Sequence, residues 1–487
     1  MNTQATFLWH DYETFGAYPQ LDRPAQFAAI RTDAALEPIG EPLNWYCQPA
    51  VDVLPHPIAS LITGITPQEA RKKGLIEAEF AENIHAEMMR PNTCSAGYNS
   101  IRFDDEFSRN LFYRNFFDPY EREYKNNNSR WDLIDLARMC YALRPAGIEW
   151  PQREDGLPSF KLEHLSAANK ILHAGAHEAL ADVMATIGLA RLLRDTQPRL
   201  FDWALKMRDR HHVMQMLSPA NPKPVLHTSS RIPASRGCTT LVLALSICPD
   251  RDKSVIVYDL MADPEPLLNA TAEEISERVF TSAKDLPEGV ERIPLKALHT
   301  HHVPMVAPAA TLKGVDCKRI GLDPQRCFKH AEKLTSALHA VRNKVTEVFK
   351  PYPNEPYSAE AGHDPDHMIY AGGFFSSSDR RLMDKIRSTN PAGLSKSKWA
   401  FQDPRLAEML FRYRARNFPD SLTPAEQQQW QAQRLARLKR PADARQLNPD
   451  TFAIEISAAR EANKKDGRAQ NILDQLEAWG GEICRSR

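Results

Sequence analysis

The 487-residue sequence contains no apolar run long enough to span a bilayer, so hydropathy offers no membrane helix. Met1–Thr6 shows no signal-peptide pattern. Its eight cysteines include no C-x-x-C pair, so neither a zinc site nor a disulfide framework is indicated, and a reducing cytoplasm is the expected setting. Charge of one sign is also missing. Lys plus Arg and Asp plus Glu both number 62, so net charge argues neither for nor against a nucleic-acid partner, and local distribution has to decide. No internal repeat or low-complexity tract is visible. What remains has 42% apolar and 25% charged residues, the balance of a soluble globular protein, and its length suggests two to four domains.

The most informative stretch is Phe7–Gly16, FLWHDYETFG. Its first half is apolar and reads as a buried strand. Asp11 and Glu13 follow two residues apart, and residues i and i+2 of a strand share a face. Two carboxylates side by side repel unless a cation lies between them, and hard oxygen donors suit Mg²⁺ or Mn²⁺. The bland alternative is a solvated turn after a strand.

Gln26–Thr32 and Leu43–Cys47 read as further strands of an antiparallel meander. Thr66-Pro67-Gln68-Glu69 has the form of a capping box with proline at the first helical position. Ile76–Met89 reads as a helix and Asn92–Gly97 as a short buried strand. Asp104-Asp105-Glu106 then leads into a helical pattern through Phe116. Acids at a helix start can serve the dipole alone. Asp132 is the expected N-cap of a helix running to Leu143, and Phe160–Asn169, beginning around Lys161, is another. His177 precedes or opens a helix that continues through Leu192, with Asp182 more than one turn inside it. An aspartate there is costly if buried alone; a metal partner or an exposed position would each remove that cost.

Together these residues make the pattern D-x-E … D … H-x-x-x-x-D, which resembles the His-containing branch of the DEDD superfamily of 3′→5′ exonucleases. His177 stands five residues before Asp182, and residue 178 is Glu rather than the Tyr of the other branch. The likeness is closer still to bacterial exonuclease I. It is carried by His10–Gly16, LDRPAQFAAIRT at 21–32, LITGITPQEA at 61–70, Gly97-Tyr98-Asn99 with RFDDE at 102–106, NSRWDL at 128–133, Phe374-Phe375 and FRYRARNFP at 411–419. The resemblance implies that Asp11, Glu13, Asp104 and Asp182 hold two Mg²⁺ ions, for which Mn²⁺ can substitute, that Glu13 and Asp182 also meet the substrate, and that His177 is the general base. It implies processive 3′→5′ hydrolysis of single-stranded DNA to 5′-mononucleotides, in repair and recombination. Lys161 occupies a DNA-backbone position where the family carries Arg; lysine keeps the charge and loses the bidentate fork. An implied partner is the acidic C-terminal tail of single-stranded-DNA-binding protein, with Arg144, Lys313 and Arg319 as candidate contacts. A monomer is expected, since the resemblance implies one and no coiled-coil seam appears. An RNA-trimming or proofreading nuclease of the same superfamily, or a non-catalytic single-strand-binding scaffold, are the competing readings.

Three domains are expected. Residues 1–196 form an α/β RNase H-like exonuclease domain with a mixed sheet flanked by helices, closed off by Thr196-Gln197-Pro198. Residues 197–352 contain a helix over Leu200–His211, strands at Pro224–Leu226, Thr239–Ile247 and Ser254–Leu260, and a helix over Thr271–Val279; the resemblance implies an SH3-like β-barrel domain. Residues 353–487 read as an all-α domain, with a capping box at Thr423–Glu426. Arg412, Arg414 and Arg416, and the cluster Arg434, Arg437, Lys439 and Arg440, are either solvated helix faces or an electrostatic funnel for single-stranded DNA.

Overall fold

The computed structural model describes residues 5–172, 178–249, 254–351 and 363–485. These group into two compact units, one of residues 1–129, 173–184 and 354–487, the other of 130–172 and 185–353.

In the first unit β1 (Thr6–Thr14), β2 (Pro24–Thr32) and β3 (Leu43–Tyr46) form the expected antiparallel meander, and β4 (Thr93–Gly97) adds to the other edge of β1 in parallel. The order is β3-β2-β1-β4. The parallel pairing runs only from Thr6/Thr93 to Trp9/Ala96, so β1 projects past the end of β4. Four helices follow the meander or β4: α1 (Pro57–Thr63), α2 (Pro67–Lys73), α3 (Glu77–Met88) and α4 (Asp104–Arg114). Leu8, Tyr12 and Phe27 of the sheet pack against Phe80, Ile84 and Met88 of α3 and Phe107, Leu111 and Phe112 of α4. Each such side chain contributes roughly 1.5–3 kcal/mol on burial. The capping box at Thr66 is half formed. Thr66 accepts the Glu69 N–H at 3.3 Å, while the Glu69 carboxylate turns to Lys73 at 2.6 Å.

The C-terminal segment is helical as expected, with helices at Ser377–Ser388, Pro391–Leu394, Arg405–Asn417, Pro424–Lys439, Pro449–Ala462 and Gly467–Ile483. It packs against the rest of the first unit through shared clusters. Ala78, Tyr113 and Phe116 join Ile369, Met383, Ile386, Leu406 and Met409 in one cluster, and Leu54 joins Phe452, Leu473, Leu476 and Trp479 in another. Polar contacts reinforce this. Arg416 donates to Asp52 at 2.7 Å and to Asp366 at 2.6 Å. Arg412 reaches Asp364 and Asp366, and Arg437 reaches Asp364 at 3.1 Å. Burial pushes the Asp52 and Asp366 carboxyls up, but the surrounding guanidinium groups outweigh it and hold both below the usual carboxylate range. The funnel reading therefore fails for these arginines. Arg412 and Arg414 are buried and Arg416 is half-buried, all three paired with acids, and Arg434 is buried with its guanidinium on the Ile483 and Arg485 carbonyls. Lys439 and Arg440 remain exposed.

In the second unit, β5 (Ser129–Asp132) runs into a helix over Leu133–Leu143, and Asp132 caps it by accepting the Ile134 N–H at 3.0 Å. Strands β6 (Val225–Thr228), β7 (Thr239–Ile247), β8 (Ser254–Asp259), β9 (Leu295–His299) and β10 (Met305–Pro308) form an antiparallel sheet in the order β10-β6-β7-β8-β9. Among the described residues it is an open sheet rather than a closed barrel, with β9 and β10 at its edges. The helix expected over Leu200–His211 is two, Pro198–Lys206 and Arg210–Met216. Asp209 interrupts it by taking the His211 N–H at 2.8 Å as the cap of the second. No helix among the described residues is long and apolar enough to cross a membrane.

Removing one partner from a buried ion network strands the others, at a cost of about 3–5 kcal/mol. Arg416→Met, which leaves Asp52 and Asp366 short of a donor, is expected to lower stability by about that amount. Arg440→Met, at an exposed position, should change it by less than about 0.5 kcal/mol. Denaturant unfolding followed by tryptophan fluorescence checks both.

Candidate active site

Strand alternation sets the site. Leu8 and Tyr12 face the core of α3 and α4, so Asp11 and Glu13 take the opposite face. They lie where β1 has run beyond β4. This is the position outside the carboxyl ends of parallel strands, where open α/β sheets bind ligands.

The β1–β4 pairing ends at Trp9/Ala96. Asp104, the first residue of α4, takes over there, and its Oδ1 accepts the Tyr12 N–H at 3.0 Å. The Tyr12 hydroxyl shares a hydrogen bond with Ser108 Oγ at 3.0 Å, one helical turn further on. Tyr12 thus ties β1 to α4 at two points. The helix Ala179–Thr196 supplies Asp182. Asp182 lies in the first turn rather than more than one turn inside. A carboxylate is favoured there by the helix dipole, so its place in an apolar helix carries none of the expected cost. Its backbone N–H donates to the Glu178 carbonyl at 3.1 Å.

Asp11, Glu13 and Asp182 can each offer one oxygen such that all three lie within 4.8 Å of one another. At such a separation two full negative charges repel by roughly 3.5 kcal/mol at an effective dielectric constant of about 20. Glu13 is buried and Asp11 and Asp182 are half-buried. Burial, followed by the charges of Asp104, Glu13 and Asp182, pushes the Asp11 carboxyl well above its usual range. Burial with Asp182 and Asp104 pushes Glu13 up to about 8. An all-oxygen donor set that cannot ionise freely by itself fits a divalent cation: the cation removes the repulsion and needs no nitrogen or sulfur ligand.

Family-level comparison agrees with this geometry. Three family models match the chain: Exonuclease over residues 8–190, Exonuclease I SH3-like domain over 208–351, and Exonuclease I C-terminal domain over 363–483. The sequence is 48% identical over 427 residues to Exodeoxyribonuclease I of Escherichia coli strain K12, covering 88% of each chain. It is 44% identical over 476 residues to Exodeoxyribonuclease I of Haemophilus influenzae, covering 98% of each. The chain belongs to the exodeoxyribonuclease I family. The solved structure of E. coli Exonuclease I with a dA16 oligonucleotide superposes with a TM-score of 0.93 at 44% identity, covering 99% of this chain and all of that one. The zinc-ion-bound form of an E. coli ExoI–ssDNA complex gives 0.92, also at 44% identity, 99% and 100% coverage. An SSB/Exonuclease I structure with the inhibitor CFAM gives 0.88 at 43% identity, again with 99% and 100% coverage.

Among the remaining candidates of this exodeoxyribonuclease I relative, His177 lies outside the described residues. Lys161 is the N-cap residue of the helix Leu162–Ala168 in the second unit, exposed and 3.3 Å from Glu163. Arg144, Lys313 and Arg319 do come together. Arg144 donates to the Thr311 and Lys313 carbonyls at 3.1 and 3.2 Å. Arg319 donates to the Tyr141 and Ala142 carbonyls at 2.6 and 2.8 Å and lies over the Tyr141 ring at 4.7 Å. Sequence reasoning passed over Tyr12, whose role is carried by a backbone N–H that every residue has. It also passed over Arg122, which is fully buried and pairs with buried Asp105 at 2.6 Å directly behind Asp104. The only sequence signal for that pair was the doubled aspartate.

The raised carboxyl values carry a sign. Between the ordinary glutamate value of 4.5 and about 8, the folded metal-free protein binds more protons at this site than the unfolded chain, so this contribution makes stability fall as pH rises. Added Mg²⁺ should therefore raise the melting temperature more at about pH 8 than at about pH 5.5. Asp11→Asn should stabilise the metal-free protein at about pH 8 and abolish most of the Mg²⁺ effect. Differential scanning fluorimetry with EDTA or Mg²⁺ at the two pH values checks this.

Proposed function

We propose that this chain is a metal-dependent 3′→5′ exodeoxyribonuclease that degrades single-stranded DNA processively, releasing 5′-mononucleotides, as a monomeric enzyme of the cytoplasm in DNA repair and recombination. One observation carries the reading: carboxylates from β1, α4 and the helix Ala179–Thr196 converge at the end of β1, with Asp11 and Glu13 held above their normal titration range. Family membership at 48% identity supports the substrate class.

Asp11 and Asp182 would hold one ion, and Asp11, with Glu13 and Asp104, would serve a second. Mg²⁺ is the natural occupant of such an all-oxygen set, with Mn²⁺ able to replace it. When bound, such ions supply charge neutralisation at the scissile phosphate and ease loss of a proton from the attacking water. His177 acts as general base. Its neutral imidazole nitrogen takes a proton from the water as the new P–O bond forms, and the bond from phosphorus to the 3′-oxygen of the penultimate nucleotide breaks, that oxygen taking a proton from solvent to become the new 3′-hydroxyl. Glu13 and Asp182 also border the terminal nucleotide. Lys161 holds a backbone phosphate as a point charge, without the bidentate fork an arginine would supply. The clustered Arg144, Lys313 and Arg319 suit an acidic peptide, and the SSB/Exonuclease I structure among the relatives supports the C-terminal tail of single-stranded-DNA-binding protein as its source.

Single-stranded DNA carrying a 5′ label, incubated with Mg²⁺, should shorten from its 3′ end, while the same sequence as RNA and a blunt duplex persist. Asp182→Ala should abolish shortening, and His177→Ala should slow it by about 10²–10⁴-fold. Faster loss of the RNA would keep the site and overturn the substrate. DNA binding without cleavage by the unaltered chain would overturn the enzyme.

A further inference from the structure

The first turn of α4 carries Asp104, yet no side chain caps it at Phe103. A helix start without a cap leaves its position to tertiary contacts. Here those contacts form a cluster of ion pairs around the first two turns of α4. The 3-10 turn Glu121–Glu123 sends Arg122 to Asp105 at 2.6 Å and Glu123 to Arg109 at 2.7 and 3.0 Å, two ion pairs of opposite sense between the same two elements. Arg109, one turn along α4, also donates to Glu106 at 2.6 Å. The last member comes from the far end of the chain. The Tyr370 hydroxyl donates to Glu106 and accepts from Arg109 at 3.1 Å. It thereby closes a triad 264 residues across the sequence, within the same compact unit.

Its placement gives this triad a task. Asp104 stands among like charges at the end of β1, its Oδ1 on the N–H of Tyr12, the residue between Asp11 and Glu13. Repulsion among these acids works against the two hydrogen bonds by which Tyr12 holds the start of α4 to β1. Glu106 lies in the same turn as Asp104 and Arg109 one turn on, so fixing both fixes the axis from which Asp104 projects. Hydrogen bonds to charged partners are the strong ones, and Tyr370 makes two.

We propose that Tyr370 is a positioning residue: through Glu106 and Arg109 it holds the first turn of α4 so that Asp104 stays in register with Asp11 and Glu13, making the C-terminal segment a part of the metal site. This rests on the reading of those acids as metal ligands. It differs from a general docking role, and Tyr113 provides the comparison. Tyr113 also joins α4 to the C-terminal segment, donating to the Pro365 carbonyl at 3.0 Å, but it lies nine residues beyond Asp104, about 13 Å along the helix axis.

The test uses the full-length chain and Mn²⁺ as the probe. Tyr370→Phe keeps the ring and deletes only the hydroxyl. Calorimetric titration of the DNA-free protein should show Mn²⁺ binding weakened by about 3- to 10-fold, below the 10- to 100-fold typical of groups that touch a metal ligand directly. The Mg²⁺ concentration for half-maximal hydrolysis of single-stranded DNA should rise by the same factor, with KM for DNA unchanged. Tyr113→Phe should lower the melting temperature at least as much as Tyr370→Phe and leave Mn²⁺ binding within about twofold of the unaltered protein. Unchanged Mn²⁺ binding in Tyr370→Phe, or equal weakening in both variants, would overturn the positioning role alone. An unaltered chain that takes up no Mn²⁺ would overturn the metal-site reading along with it.

Discussion

Like-charge repulsion at the end of β1 is the constraint on which the rest of the first unit turns. Asp11, Glu13 and Asp182 offer oxygens within 4.8 Å of one another, and Asp104 adds a fourth carboxylate through the Tyr12 N–H. A chain left to minimise its own energy would splay such groups into water. Here each is delivered by an element whose position is set elsewhere: β1 by its neighbours β2 and β4, α4 by a core of phenylalanines and leucines, and Asp182 by the start of a helix whose dipole favours it. The apolar core supplies the free energy that keeps the acids together. The acids in turn hold back protons that a divalent cation would displace.

The same side-chain chemistry serves opposite ends elsewhere in the unit. Around Asp52, Asp364 and Asp366, acids are compensated by Arg412, Arg416 and Arg437, and Asp52 and Asp366 are held below their usual range. At the site, acids face acids, and Asp11 and Glu13 are driven above it. A balanced buried network has nothing left to offer a ligand and acts as a joint between sequence-distant segments. An unbalanced one is a place for a cation. That contrast separates the two groups of carboxylates more sharply than burial does, since Asp52 and Glu13 are both buried.

It also explains why the arginines of FRYRARNFP are not exposed to solvent. Alternating Arg residues on a helix suggest a basic surface, but the helix Arg405–Asn417 lies between the α3/α4 side of the sheet domain and the helix Pro424–Lys439, where no charge could remain without a partner. The C-terminal segment consequently shares its hydrophobic clusters with the exonuclease fold and contributes Tyr370 to the helix that carries Asp104.

Local pattern was enough for much of this. The i, i+2 spacing of Asp11 and Glu13, the meander of β1 to β3, the N-cap at Asp132, the capping box at Thr423 and the helical C-terminal third all follow from periodicities and short-range hydrogen bonds that the sequence encodes within a few residues. The resemblance carried by the DEDD pattern singled out Asp11, Glu13, Asp104 and Asp182 among many scattered acids. What no local pattern could decide was which charges would meet across long separations. The Tyr12 N–H, beyond the end of the β4 pairing, went to Asp104, Thr66 lost half its box because Glu69 found Lys73, and Arg122 paired with Asp105, and Arg416 with Asp52, only once packing had brought them within reach. Electrostatic partnership depends on distance in space. Local pattern was enough for most of the elements and for the inventory of charges; only the tertiary structure decided which charges were paired with opposite charge and which were left facing their like.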